Sequence, residues 1–118
     1  MGPEALIQHA APVEPTCRID LPVPDVREQV AAAALLADHT RSTILAMLRS
    51  GPACVCEIAG ALDERPNNVS NHLARLREAG LVRASRHHAD ARWVYYERDE
   101  AACAAALAHL RALLEPSA

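Results

Sequence analysis

The chain has 118 residues, the length of a single domain, and 51% of them are hydrophobic. No run of about 18 apolar residues could span a membrane and no secretion signal is found, so we expect a cytoplasmic protein without membrane contact. The net charge of −3 argues against a uniformly basic surface for nucleic acid, and the four cysteines are expected to be thiols or metal ligands rather than disulfides.

Residues 1–23 are expected to form a flexible N-terminal arm, because they are rich in proline and show no hydrophobic periodicity. The prolines of the arm are Pro3, Pro12, Pro15 and Pro22. Residues 24–118 are expected to form one folded domain. Cys17 lies in the arm, where it has no core to fill. Two interpretations stay open: an exposed neutral residue, or a metal ligand that anchors the arm when an ion binds.

Two scaffold helices are predicted after the arm. Alanine and leucine dominate residues 25–37, which indicates the first helix. Thr40 can cap the second helix, which carries apolar residues at helical spacing and ends at Gly51-Pro52. Both helices are expected to pack behind the more polar pair that follows.

Residues 52–81 contain two short helical patterns joined by a tight polar turn. The apolar stripe of the first consists of Val55, Ile58, Ala59 and Leu62. Asp63 to Pro66 ends this helix, since proline cannot donate a backbone N–H, and the second is expected to start near Asn67 or Asn68. Its buried stripe is Val69, Leu73 and Leu76. This order, with a polar second face, predicts a helix-turn-helix that reads DNA.

The exposed face of the second of these helices carries polar side chains that can reach base edges in a major groove. The candidate DNA-binding residues on it are Asn68, Ser70, Asn71, His72 and Arg75. The stretch from Arg65 to His88 has five arginines and one glutamate, so it is locally basic although the whole chain is acidic. The alternative interpretation is an ordinary solvated helix face.

Strand-forming residues at 81–84 and 93–96 flank a polar turn, which predicts an antiparallel hairpin, or wing. Arg86 and Arg92 in the wing are expected to contact phosphate or the minor groove and to add affinity more than sequence choice. The adjacent pair His87-His88 is not expected to bind one ion, because neighbouring residues of a strand point to opposite faces.

The last predicted helix opens at Asp99 or Glu100 and is rich in alanine. Its narrow apolar seam consists of Cys103, Leu107, Leu110 and Leu114. A seam without another partner in so small a chain indicates a homodimer interface. Cys103 is expected to be a buried, unreactive thiol, although a role as an additional metal ligand stays open.

Two segments resemble the ArsR/SmtB family of metal-sensing winged-helix repressors. The segment CVCEI at residues 54–58 is similar to the family's ELCVCDL metal box, with glutamate where aspartate is usual. The segment SNHL at residues 70–73, followed by Leu76, is similar to the family's S-x-H-L-x-x-L recognition helix. The resemblance covers about residues 25–115 and leaves the arm outside it.

This resemblance implies a mainly α fold with a small β-hairpin, a homodimeric winged helix-turn-helix, and no enzymatic activity. It implies a repressor that binds operator DNA without metal and leaves it when an ion binds, so that efflux or detoxification genes are expressed. Members of the ArsR and CadC subgroups combine N-terminal cysteines with the metal box. Cys17 is therefore the natural third ligand beside Cys54 and Cys56.

The chemistry of the metal box sets conditions on its geometry. On a continuous helix, two cysteines separated by one residue would point about 200° apart. Both can bind one ion only if Cys54 lies at or before the first helical turn, which Gly51-Pro52 upstream favours. A site of three thiolates favours As(III), Sb(III), Cd(II) or Pb(II) as the inducing ion. The family's other zinc site is expected to be absent, since Ala101 and Ala112 stand where histidines are required.

Two other classes of function fit part of the sequence. A thiol-redox repressor could use a disulfide between Cys54 and Cys56, or between one of them and Cys17, as its switch. A metal-buffering protein would need neither the arginine-flanked second helix nor the wing. An enzyme is not expected, because the sequence has no Gly-rich phosphate loop, no His-Glu-x-x-His and no nucleophile elbow.

Overall fold

The computed structural model describes residues 20–86 and 93–116. The elements in chain order are α1 (Arg27–Leu36), α2 (His39–Met47), a 3-10 turn (Leu48–Ser50), β1 (Ala53–Cys54), α3 (Val55–Leu62), α4 (Pro66–Glu78), β2 (Val82–Arg86), β3 (Val94–Arg98) and α5 (Glu100–Leu114). This order confirms the predicted winged helix-turn-helix. Residues 1–19 of the predicted arm lie outside the described residues, and residues 20–23 are exposed and in neither helix nor strand.

Carboxylates cap two of the helices. The Oδ1 atom of Asp38 accepts a hydrogen bond of 2.8 Å from the backbone N–H of Arg41 and so caps α2. Asp99 caps α5 by accepting from the backbone N–H of Ala102 at 3.0 Å. Each bond satisfies a first-turn donor that has no partner inside the helix. The prediction that Thr40 caps α2 is wrong, because the helix has already begun there.

A short turn with a left-handed residue, Asp63 at φ 52°, joins α3 to α4. The prediction that α4 starts with an asparagine cap at Asn67 or Asn68 is wrong. Pro66 is the first residue of α4, and its N-cap is Arg65, in extended backbone without a side-chain cap. The physical reason is that proline has a fixed φ suited to the first helical turn, where its missing N–H removes no bond.

One core joins α2, α3, α4 and the start of the hairpin. Its fully buried large side chains are Ile44, Ile58, Val69, Leu73 and Leu76. The cluster is completed by four further buried residues, Leu48, Ala59, Leu81 and Val82. The predicted stripe of α4 is thus confirmed, and on α3 Val55 and Leu62 pack half-buried at the edge of the core. Burial of this stripe turns the opposite face of α4 towards solvent.

The sheet has three antiparallel strands in the order β1-β3-β2. β2 and β3 form the predicted hairpin, with Ala84 opposite Tyr96. β1 was not predicted, because two residues are too few to show a periodicity. It pairs with the other edge of β3, with Ala53 opposite Tyr96 and Cys54 opposite Tyr95. The segment that opens the Cys-x-Cys pair is therefore joined to the wing by the sheet.

The last helix, α5, packs against α1 and keeps part of its apolar surface exposed. Ala102, Cys103 and Ala106 contact the core, but no residue of α5 is fully buried. Leu107 is 51% exposed and Leu114 is 78% exposed. In the described part of the chain, no helix combines the length and the apolar character that crossing a membrane requires.

Candidate nucleic-acid interface and thiol site

The outward face of α4 is the candidate nucleic-acid interface. Because its apolar stripe turns towards the core, the polar residues between the stripe positions are directed to solvent. The exposed polar side chains of this helix include Asn67, Ser70, Asn71, Arg75 and Arg77. Asn68 is half-buried at the edge of the face. The arrangement offers amide, hydroxyl and guanidinium groups, which are the groups that hydrogen-bond base edges and phosphate.

Asn67 is an exposed residue of this face that the sequence analysis did not assign to it. The sequence predicts a helix cap at this position, whereas Asn67 lies in the first turn of α4. It precedes Asn71 by four residues, so the two side chains lie on the same side of the helix. Once the helix is known to begin at Pro66, this spacing alone identifies Asn67.

His72 lies at the side of the outward face of α4 rather than on it, and its role as a base-reading residue stays a prediction. Its side chain is only 15% exposed. The Nδ1 atom lies 3.4 Å from Nη1 of Arg41, and Nε2 lies 3.8 Å from Oδ1 of Asp38. At about 100° per residue, position 72 falls beside the buried stripe of α4 rather than opposite it. The ring is therefore held by α2.

The wing carries arginines with different surroundings. Arg86 is exposed at the end of β2. Arg92, which is also predicted to contact DNA, lies outside the described residues. Arg83 pairs with Glu97 at 2.9 Å and with Asp99 at 3.6 Å. The hydrogen bond from Arg83 to Glu97 raises the pKa of the Arg83 guanidinium. The positive charge of Arg83 is thus offset inside the hairpin.

The Cys-x-Cys pair lies where a strand passes into a helix. Cys54 is buried and has extended backbone, φ −94° and ψ 166°, as the N-cap of α3. Cys56 is exposed in the first turn of that helix. This is the backbone arrangement expected for two thiols that serve one ion, since Cys54 is not constrained by helical geometry. The two thiols differ sharply in their access to solvent.

Glu57 closes the start of α3 as a capping box. Its Oε1 atom accepts a hydrogen bond of 3.0 Å from the backbone N–H of Cys54, and the Cys54 side chain faces the backbone N–H of Glu57. The bond from the Cys54 backbone lowers the pKa of the Glu57 carboxyl, which stays ionised. Glu57 therefore has a structural role at this position, and it places a negative charge beside the thiols.

Of the two other cysteines, only Cys103 belongs to the described residues. Cys17 lies outside the described residues. Cys103 is half-buried, with its Sγ atom 3.8 Å from the carbonyl oxygen of Leu81, and burial raises the pKa of its thiol. Across residues 20–86 and 93–116, no three His, Cys, Asp or Glu side chains are grouped closely enough to hold a metal ion. The role of Cys54 and Cys56 as metal ligands therefore stays a prediction.

The residues of the predicted dimer seam differ in their exposure to solvent. Cys103 contacts the core of its own chain, and Leu110 is half-buried. Leu107 and Leu114 are exposed, as is Leu113 at 40%. The exposed leucines therefore form an apolar surface that the described residues of this chain do not cover.

The family described as "Bacterial regulatory protein, arsR family" matches residues 38–84, which include α2, α3, α4 and the start of β2. A crystal structure described as a possible transcriptional regulator for arsenical resistance has 33% sequence identity and a TM-score of 0.58. That similarity covers 71% of this chain and 80% of the other.

Two curated relatives have related names. The arsenic resistance transcriptional regulator ArsR1 of Pseudomonas putida is 45% identical over 62 residues, which are 52% of this chain and 46% of the relative. The arsenical resistance operon repressor of Escherichia coli K12 is 41% identical over 63 residues, which are 52% of this chain and 51% of the relative. The chain thus spans about half the length of the curated relatives it matches.

Proposed function

Because this chain belongs to the arsR family of bacterial regulatory proteins, we propose that it is an arsenic-responsive transcriptional repressor. Its homodimer binds operator DNA and leaves it when As(III) binds cysteine thiolates. Membership in a family of regulators also confirms the expectation that the chain is not an enzyme. The observation that carries the proposal is the position of the Cys-x-Cys pair. It opens α3, the helix that packs against α4, and it is joined to the wing through β1.

The DNA side of the proposal rests on α4 and the wing. A recognition helix enters the major groove with its exposed residues, and the polar face with Ser70 and Asn71 has suitable donors and acceptors. Arg75 and Arg86 are exposed on the same two elements and suit phosphate contacts. Arg83 is less suited to phosphate contacts than Arg75, because Glu97 offsets its charge.

The inducer side rests on the chemistry of the thiols. As(III) is a soft centre that thiolates bind in preference to oxygen ligands. Cys54 and Cys56 would supply two thiolates, and Cys17 is proposed as the third. Sb(III), Cd(II) and Pb(II) also prefer thiolates and are the alternative candidates for the inducing ion. Cys103 is not part of the proposed site, because it is held against the carbonyl of Leu81 with a raised thiol pKa.

The route from the thiols to the DNA-binding surface runs through two contacts of Cys54. Its backbone caps α3 through Glu57, and its strand partner is Tyr95 of the wing. A change in the Cys54 backbone would thus act on both α3 and β3. We propose that this shift alters the spacing of the two recognition helices in the homodimer. Couplings between sites are about 1–3 kcal/mol, or about 5–150-fold in affinity.

The test is an operator-binding titration. Fluorescence anisotropy with the DNA upstream of the chain's own gene is measured with and without arsenite, with chelator present to exclude trace metals. We expect tight binding without arsenite and weakening by about 5–150-fold at saturating arsenite. Cys54→Ser and Cys56→Ser should bind the DNA normally and lose the response. Unchanged affinity of the unmodified protein at saturating arsenite would contradict the proposal.

Cys103→Ser is the matched control, since it removes a thiol of the same chain outside the proposed site. It should keep the full response to arsenite. Parallel titrations with antimonite, Cd(II) and Pb(II) rank the competing inducers. Peroxide in the presence of chelator tests the redox switch: release of DNA by peroxide but not by arsenite would favour a disulfide between the thiols.

A further inference from the structure

We propose that His72, Arg41 and Asp38 form a positioning network that fixes the rotation of α4 on the domain, so that His72 controls affinity for DNA without reading a base. The inference rests on the proposed DNA-binding function. The observations that support it, however, are contacts within the chain itself. They connect the end of α1, the start of α2 and the middle of α4.

The centre of the network is Arg41, the one charged side chain that is buried among the described residues, with 8% exposure. A buried guanidinium is costly unless its donors have partners. The Nε atom of Arg41 donates to the carbonyl oxygen of Leu35 in α1. That bond satisfies a C-terminal carbonyl of α1, which has no partner within the helix. Arg41 is thereby held in place from the side of α1.

The other end of the guanidinium reaches α4. Nη1 of Arg41 lies 3.4 Å from Nδ1 of His72. A guanidinium has donors only, so a hydrogen bond between these two atoms requires Nδ1 to accept and the ring proton to lie on Nε2. That Nε2 atom lies 3.8 Å from Oδ1 of Asp38, which is longer than a hydrogen bond but close enough for the carboxylate to attract the N–H group. Both ring nitrogens of His72 therefore face groups of α2.

Asp38 completes the network from the start of α2. Its carboxylate accepts the backbone N–H of Arg41 at 2.8 Å, and this bond lowers the pKa of the Asp38 carboxyl. The group is thus ionised at neutral pH and attracts the N–H of His72. One carboxylate caps α2 and orients the imidazole, while the guanidinium of Arg41 links that imidazole to α1.

Such a network adds what an apolar stripe lacks. Val69, Leu73 and Leu76 fix which face of α4 is buried and so its approximate rotation, but apolar contacts are not directional. A hydrogen bond depends on direction as well as distance, so the contact between Arg41 and His72 restricts further rotation of α4 about its axis. Rotation decides whether Ser70 and Asn71 point outward together. The network therefore sets the geometry of the proposed reading face.

The experiment starts by selecting preferred duplexes from a random-sequence library with the unmodified protein. Binding of one selected duplex is then measured by anisotropy at a temperature well below the melting transition. We expect His72→Leu and Arg41→Lys each to weaken binding by about tenfold, because each breaks a charge-assisted contact. His72→Asn keeps an acceptor near the position of Nδ1, so its loss should stay within about threefold.

Two further results separate positioning from base reading and from a general loss of stability. Repeating the selection with His72→Leu should return the same preferred bases, because no base contact has been removed. The double variant of His72→Leu and Arg41→Lys should bind no more weakly than the worse single variant, since residues of one network are not additive. A variant that is only less stable would melt earlier and bind normally at the assay temperature.

The matched controls are His39→Leu and Arg49→Lys, which change exposed residues of the same types. Both should bind like the unmodified protein. A changed base at one position of the selected sequence, additive losses, or a His72→Asn variant as weak as His72→Leu would overturn the network.

If the unmodified protein selects no sequence, the proposed function fails and nitrogen NMR of the imidazole decides the network separately. A neutral His72 ring protonated on Nε2, with a signal that changes in Arg41→Lys, supports it. A ring protonated on Nδ1 contradicts it.

Discussion

The helices α4 and α5 both carry an apolar stripe in sequence, but the chain buries only one of them. Val69, Leu73 and Leu76 of α4 are fully excluded from solvent. In α5 no residue is fully buried, and Leu107 and Leu114 remain 51% and 78% exposed. The apolar stripe of α4 is thus buried within the chain, whereas the stripe of α5 leaves apolar surface exposed to solvent.

The difference follows from what surrounds each helix. α4 packs against α2, α3 and β2, while α5 packs chiefly against α1 and reaches the core through small residues such as Ala102 and Ala106. Periodicity shows that one face of a helix avoids water. It does not show whether the covering surface belongs to the same chain or to a second one.

The largest expected effect is in the core of α4. Leu73→Ala should lower the free energy of unfolding by about 2–5 kcal/mol, because it leaves a cavity among fully buried side chains. Urea denaturation followed by circular dichroism measures the loss. Leu114→Ala makes the same chemical change at an exposed position and, at concentrations where the protein is monomeric, should cost less than about 1 kcal/mol. Equal losses would show that the two stripes do not differ.

The next effect concerns the surface of α5. Leu107→Glu should weaken self-association by about tenfold or more, because a carboxylate would be buried in the proposed dimer interface without a partner. Helical content measured by circular dichroism should be unchanged, since this side chain is half exposed in its own chain. Sedimentation equilibrium gives the association constant.

Ala108→Glu is the control for this experiment, because Ala108 is exposed on the same helix outside the predicted seam. It should associate like the unmodified protein. If both variants associate normally, α5 does not supply the dimer interface and the exposed leucines need another explanation.

Much of the fold could be predicted because the signals are local. The stripe of α4, the helix-turn-helix and the hairpin each follow from spacings within a few residues. Thr40 as a cap and the start of α4 were misassigned by one or two residues, because several capping residues stand close together in the sequence. Asp38 is the N-cap of α2, and Pro66 is the first residue of α4. Neither error changes the topology.

The candidate site was less predictable, because it depends on contacts between distant parts of the chain. Strand β1 is defined by its pairing with Tyr95 and Tyr96, about forty residues later in the sequence. His72 stands among polar residues of α4, and only its contact with Arg41, 31 positions away, shows that it faces inward. Sequence patterns identify which residues carry chemistry, and tertiary contacts decide which of them are free to use it.

The smallest expected effect is a difference in reactivity between a thiol of α3 and a thiol of α5. Cys56 is exposed at the start of α3, whereas Cys103 is half-buried on α5. Burial raises the pKa of the Cys103 thiol, so at a given pH less of it is the reactive thiolate, and its alkylation should accelerate only at higher pH. We expect iodoacetamide to modify Cys56 at least about threefold faster than Cys103 near pH 8, as measured by mass spectrometry of quenched samples.

Unfolding in urea provides the control for this measurement, because it removes the burial that distinguishes the two thiols. The rates should then become similar. A Cys103 that reacts as fast as Cys56 in the folded protein would mean that α5 opens to solvent on the time scale of the reaction. The stripe of α5 would then be even less firmly held than its exposed leucines indicate, and the contrast with α4 would be larger.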